Sequence, residues 1–337
     1  MNNLKVSIMK SKIPIMWIDT SLIINFVRLE KEELSDNNFM NGRIKQLHAL
    51  LYKKGCEKKL ICPIGEQMEE IIIGKDPIDE TRKTQISLSS GLKFKNRNNI
   101  KKMQTIRFMK AYIDKEEEIS LDYKEIFNED PIKKIMNSDK FIITPDFEIT
   151  EQDIIQTETL KKNINLELEK LRQKNISGGI TFKQQLQKEY QWLLTDGLSA
   201  YETWSQKITS GILPTPEETN RARVLGELLA AWDNSKGTPD NLQGFTNFIN
   251  SDYYKSIPSI DISANLLAFK TTSDKPIDSG DYMDIDQISS ILSYCDFVFT
   301  DKKMKNLILK FGFDKKYKTK VYCMKDFDSI INDLSKL

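Results

Sequence analysis

Residues 13–26, IPIMWIDTSLIINF, are the most apolar stretch near the start of the chain, and Asp19 stands in their middle. Residues 13–18 read as a strand of the continuously apolar kind that a parallel sheet buries on both faces. A helical pattern, SLIINFVRLEKEEL, opens just after Asp19. The aspartate therefore ends a buried strand, where a carboxylate is costly unless it is paired, hydrogen-bonded or bound to a metal. As a simple helix N-cap it would need no further role. Thr20 or Ser21 can supply that cap instead, which leaves Asp19 open to chemistry.

The same order of elements recurs downstream. A helical pattern covers 41–54, KKLICPI (58–64) reads as a short strand, and GEQMEEIIIG (65–74) as a short helix between two glycines. Near the end, DYMDIDQISSILSYC reads as a helix and DFVFT as a strand leading to Asp301. KKMKNLILKFG is a helix stopped by Gly312, TKVYCM a last strand and DFDSIINDLSKL a last helix. Between about 80 and 260 the patterns are long, charged and helical, with TPEE at 215–218 a strong helix start: a threonine cap, proline next and acids in the first turn. The expected architecture is an α/β sheet in two parts, 1–78 and 266–337, interrupted by a mainly helical insertion over 79–265.

Composition narrows the functions. The 337 residues carry 29% charged side chains that nearly cancel to +1, so any surface for nucleic acid must be local. No apolar run reaches the ~20 residues a spanning helix needs, and the leading apolar run is too short for a signal sequence. Four cysteines without a CxxC pair point to a reducing, cytoplasmic setting. His48 is the single histidine, which excludes polyhistidine zinc sites; its place in GRIKQLHALLYKKG reads as an ordinary helix position.

Four sets of acids fall at comparable places on the α/β elements: Asp19, the Glu66/Glu69/Glu70 group, the Asp281/Asp284/Asp286 group and Asp301. In an open parallel sheet, ligands bind beyond the carboxyl ends of the strands. Carboxylates crowded there repel one another, and hard divalent ions such as Mg²⁺ or Mn²⁺ relieve that repulsion while binding phosphate.

With WIDTSLIINF, LICPIGEQMEEI and DYMDIDQISSILSYCDFVFTDKKMKNLI in view, the chain resembles the PIN-domain nucleases. The resemblance covers about 13–75 and 275–330. It implies a PIN-like α/β fold, Mg²⁺ or Mn²⁺ as cofactor, and hydrolysis of phosphodiester bonds, in RNA more than in DNA. It carries the metal-holding and catalytic roles to Asp19, Asp284, Asp301 and one glutamate: Glu70 first, then Glu66, then Glu69. Asp281 and Asp286 remain solvated or capping acids, and Asp296 a turn residue or outer acid. Resemblance to toxin and phage-defence members implies such a role here. A non-catalytic PIN-like scaffold is the alternative. A haloacid-dehalogenase type of phosphohydrolase would want an aspartate at position 21, which is serine.

Residues 81–113 hold nine basic side chains and no acid. Lys93, Lys95, Arg97, Lys101, Lys102 and Arg107, interleaved with Phe94 and Phe108, are the candidate nucleic-acid contacts, with a solvated basic helix face as the plainer reading. Phe182, Tyr190, Trp192, Tyr201 and Trp204 sit at helical spacing and read as core. The helical middle is expected to shape a substrate channel or to bind a protein partner.

Overall fold

The computed structural model describes residues 4–31, 39–66, 78–137, 150–237 and 241–337. The fold is mixed α/β and mostly helical, with small open sheets. In chain order the elements are β1 (Lys5–Met9), β2 (Met16–Ile18), α1 (Thr20–Glu30), α2 (Phe39–Cys56), α3 (Ile78–Ser89), α4 (Arg97–Asp114), β3 (Glu118–Asp122), α5 (Pro131–Met136) and α6 (Glu151–Ser177). There follow α7 (Phe182–Trp192), α8 (Leu198–Thr209), α9 (Pro216–Asn234), α10 (Asn241–Asn250), α11 (Asp252–Lys255) and α12 (Pro258–Thr272). The chain closes with α13 (Asp281–Ile291), β4 (Phe297–Phe299), α14 (Lys302–Lys310), α15 (Phe313–Lys316), β5 (Lys320–Tyr322) and α16 (Phe327–Ser335).

Two compact units divide the chain: one holds Met1–Ser7, Asn98–Leu121 and Glu167–Asp278, the other Ile8–Arg97, Asp122–Leu166 and Ser279–Leu337. These boundaries do not coincide with those expected at 78/79 and 265/266. The helical middle is shared out: the described residues of 79–97 and 122–166 fall in the unit that holds β2, β4 and β5.

In that unit β2, β4 and β5 pair in parallel, in the order β2-β4-β5. Met16, Trp17 and Ile18 face Phe297, Val298 and Phe299 in register. All six side chains are buried, as a strand covered on both faces requires. On the other side of β2, among the described residues, the sheet continues as single bridges, Ile15 to Ile61 and Ile64 to Lys93, both parallel, and then Phe94 to Phe127, antiparallel. The strand expected at 58–64 is reduced to these bridges. Pro63 lies between them and has no N–H to donate. The expected helix 65–74 lies mostly outside the described residues.

The chain thus leaves β2 in one direction, toward Ile61 and Lys93, and returns on the other, at β4 and β5. The gap between β2 and β4 is a topological switch point, where crevices form beyond the strands' carboxyl ends. Beneath it, Leu22, Ile23 and Phe26 of α1, Leu47 of α2 and Phe327 and Ile330 of α16 close the core against Met16, Ile18 and Phe299. His48 lies on α2 as expected, its ring 4.7 Å from that of Phe26 and its Nε2 3.3 Å from Glu30.

The other unit is helical apart from β1 paired with β3. Thr215 caps α9 and receives the N–H of Glu218, whose carboxylate accepts the Thr215 N–H in return. Its core gathers Tyr112, Trp232, Phe245, Phe248 and Tyr254 in tilted and edge contacts. Of the aromatics expected to be core, Trp192 is exposed, whereas Tyr201 packs against Trp204 at 5.9 Å and lies over Gly226.

Candidate active site

Asp19 directly follows β2 and is nearly buried. Its backbone N–H donates to the Phe299 carbonyl at 2.9 Å, extending the β2–β4 ladder by one rung. Its Oδ1 accepts the Ser21 N–H at 2.8 Å, capping α1. The buried Thr300 hydroxyl, next in line on β4, donates to Oδ2 at 3.4 Å, a long contact. Burial pushes the Asp19 carboxyl above the usual carboxylate range. The Ser21 amide and hydroxyl oppose that shift, the charge of Asp301 adds to it and Thr300 opposes it. Asp301 lies one residue further, at the N-cap of α14, and accepts the N–H groups of Lys303 and Met304.

The sheet brings Asp19 and Asp301 to one edge because β2 and β4 are adjacent, parallel and in register. Asp281 and Asp284 stand in the first turn of α13. Acids in a first helical turn are favoured by the helix dipole. Asp281, expected as a solvated or capping acid, is buried at the start of the helix. Asp284 is half-buried.

Glu66, just past the Ile64 bridge, has other partners. Its carboxylate accepts from the Asn96 side-chain amide, and from the Arg97 backbone N–H and Nε at 3.2 Å each. Arg97 Nε also reaches Asp286 Oδ2 at 2.7 Å. All three side chains are at least four-fifths buried, Arg97 at 14%, Glu66 at 20% and Asp286 at 13% exposed. Arg97 therefore joins the segment just past the Ile64 bridge to α13 by charge, and Asp286 is not a solvated acid. Glu69 and Glu70 lie outside the described residues.

Asp296 is at the opposite edge. Its Oδ2 accepts the Ile15 N–H at 2.8 Å, where β2 begins. Burial raises its carboxyl, opposed by that N–H and by Lys10. It organises the strands' starts and stands away from the Asp19 edge.

Of the six candidate nucleic-acid contacts, Lys93 and Lys95 precede α4, and Arg97, Lys101, Lys102 and Arg107 lie along it. Lys93 is exposed, while Arg97 is spent on its two carboxylates. Lys102 meets Glu227 at 2.8 Å and Arg107 meets Glu116 at 2.6 Å. Phe94 and Phe108 are both buried and offer no face for stacking; Phe94 packs on Phe127 at 5.3 Å.

Among the described residues, no three carboxylate, thiol or imidazole groups are grouped so as to hold a metal ion. Asp19 and Asp301 nonetheless suit a hard divalent ion. Mg²⁺ commonly takes one or two protein carboxylates and fills its octahedron with water and substrate phosphate. Among the described residues, no helix is long and apolar enough to cross a membrane. Comparison with known families, characterised proteins and solved structures gives no match to this chain.

Proposed function

We propose that this chain is a Mg²⁺- or Mn²⁺-dependent PIN-like nuclease that hydrolyses phosphodiester bonds, in RNA more than in DNA. The observation that carries the reading is the buried Asp19 beside Asp301 at the carboxyl edge of two in-register parallel strands. A buried carboxylate with a second charge close by is a typical functional-site signature. In the proposed site Asp19 and Asp301 supply hard oxygen ligands, and Asp284 and Glu70 complete the set. The Thr300 hydroxyl holds Oδ2 of Asp19 in place, and Ser21 holds Oδ1. A divalent ion there would lower the pKa of a bound water and stabilise charge on the phosphodiester oxygens.

The test is cleavage of labelled single- and double-stranded RNA and DNA with Mn²⁺ and with chelator. Asp19→Asn and Asp301→Asn should each abolish metal-dependent cleavage, and full activity in both would sink the assignment. A cytoplasmic toxin or phage-defence role, and a protein partner on the helical middle, extend the same proposal.

One observation favours a non-catalytic scaffold: both aspartates also cap helices, α1 and α14. Asparagine caps nearly as well as aspartate. A scaffold would therefore keep its nucleic-acid affinity in Asp19→Asn and show no metal-dependent cleavage in the parent protein.

A further inference from the structure

Among the described residues β5 is an edge strand, paired with β4 on one side alone. The Lys320 N–H donates to the Asp296 carbonyl and the Thr300 N–H to the Tyr322 carbonyl, both at 2.9 Å. Main-chain groups alternate in direction along a strand, so those of Val321 point away from β4. Among the described residues neither its N–H nor its C=O has a hydrogen-bond partner. The neighbouring N–H groups that face the same way are closed: Thr319 donates to the Asp314 carbonyl at 2.9 Å and Cys323 to the Asp326 carboxylate at 2.8 Å. Val321 therefore carries the donor left open on this edge, with its own acceptor beside it.

Val321 lines a cleft of about 530 Å³, together with Leu309 of α14 and Tyr322. The charges of this cleft balance. Lys305, Lys318, Lys320 and Asp314 line it, and Asp326 and Asp333 pair with Lys305 and Lys320 at 2.7 and 2.8 Å. The two faces of the strand differ in chemistry. Tyr322 joins the core on the α16 side, where its hydroxyl donates to Asp333, and Lys320 reaches the same carboxylate. Val321 turns to the opposite face, and the exposed Leu309 borders the same cleft.

We propose that β5 pairs antiparallel with β5 of a second copy of this chain, joining the two sheets across a twofold axis at Val321. The inference goes beyond the nuclease reading and rests on no part of it. A twofold antiparallel rung exchanges one N–H and one C=O from the same residue of each copy, which is what Val321 offers. About that axis Lys320 of one copy stands opposite Tyr322 of the other, beside the Asp333 that this tyrosine holds. On the other face Val321 meets Val321. The axis is normal to the sheet and keeps α14 of both copies on one side, so each Leu309 faces the seam. Lysine on an edge ordinarily deters pairing, but Lys320 brings its counter-ion with it. A polyanion would find no net positive charge in this cleft, whereas a neutral strand fits it.

The experiment is sedimentation velocity over a range of protein concentrations, with amide hydrogen exchange read at Val321. The parent should pass from one chain to two as concentration rises. Its Val321 amide should exchange more slowly in the dimer, whereas those of Thr319 and Cys323, already bonded, should not change. Val321→Pro removes the donor, and proline is tolerated on an edge strand where the N–H faces outward. The dissociation constant should rise by about tenfold or more, because each copy loses a hydrogen bond. Leu309→Lys tests the same seam from an exposed side chain and should also weaken the dimer, which keeps the test decisive if Val321→Pro does not fold. A parent that stays monomeric at every concentration would overturn the proposal and leave the edge to a strand of another protein. So would a dimer whose constant neither variant changes, because its seam would lie elsewhere.

Discussion

Arg97 and Asp286 meet at 2.7 Å, and the same guanidinium nitrogen lies 3.2 Å from Glu66. One side chain thereby links the segment just past the Ile64 bridge to α13, the helix that carries Asp284. Removing one member of a buried ion pair leaves charge uncompensated, at ~3–5 kcal/mol when burial is complete. These groups keep some contact with water, so Arg97→Met should destabilise by about 2 kcal/mol in urea unfolding. Arg97→Lys should recover only part, because a lysine cannot serve both carboxylates in a fixed fork. Wild-type stability in Arg97→Met would show that the link carries no load.

Asp19 yields a prediction with a definite sign. Its folded-state pKa is raised by burial, so the charged form is disfavoured in the fold. Its contribution to stability is complete below the ordinary aspartate value and is lost as pH rises through the higher folded value. Asp19→Asn keeps the cap and removes the charge. It should therefore be more stable than the parent at pH 7 and equal to it at low pH, as thermal melts would read. Millimolar Mn²⁺ should raise the melting temperature of the parent and not of the variant.

His48 gives the opposite slope. Burial lowers its pKa, partly opposed by Glu30, so the fold holds it neutral. The unfolded chain takes up the proton first as pH falls below about 6.5, and stability declines from there down through the lower folded value. Melts between pH 7.5 and 5.5 should show this decline in the parent and a smaller one in His48→Phe. An identical decline in both would assign it elsewhere.

In the helical unit, a methyl group on Gly237 would overlap the Trp232 ring, which is fully buried. The ring has no room to shift among Tyr112, Phe245 and Phe248. Gly237→Ala should cost about 1–3 kcal/mol, the usual range for overpacking. Tryptophan fluorescence during urea unfolding checks it, and a midpoint equal to the parent's would refute the contact.

Much of the sheet was legible without the structure. The apolar run 13–18 ending at Asp19, the run DFVFT ahead of Asp301 and the glycine stop at 312 are local signals. Local sterics and hydrogen bonds are enough to produce them. The cap of α1 was legible only as a choice among Asp19, Thr20 and Ser21, and the structure gives it to Asp19. The strand at 58–64 was over-read: a run of apolar residues does not reveal that Pro63 interrupts the ladder.

What the sequence by itself determined about this protein is the order of its elements and the acids that end its strands. Backbone conformation and the apolar stripe answer to neighbours a few residues away. Only the tertiary structure decided which charges meet. Arg97 looked like a phosphate contact and Asp286 like a solvated acid, yet the fold neutralises each with the other. Phe94 and Phe108 looked ready to stack on bases, yet both are core. An ion pair or a buried ring depends on what the rest of the chain brings within a few ångströms, and that distance is not written in sequence spacing.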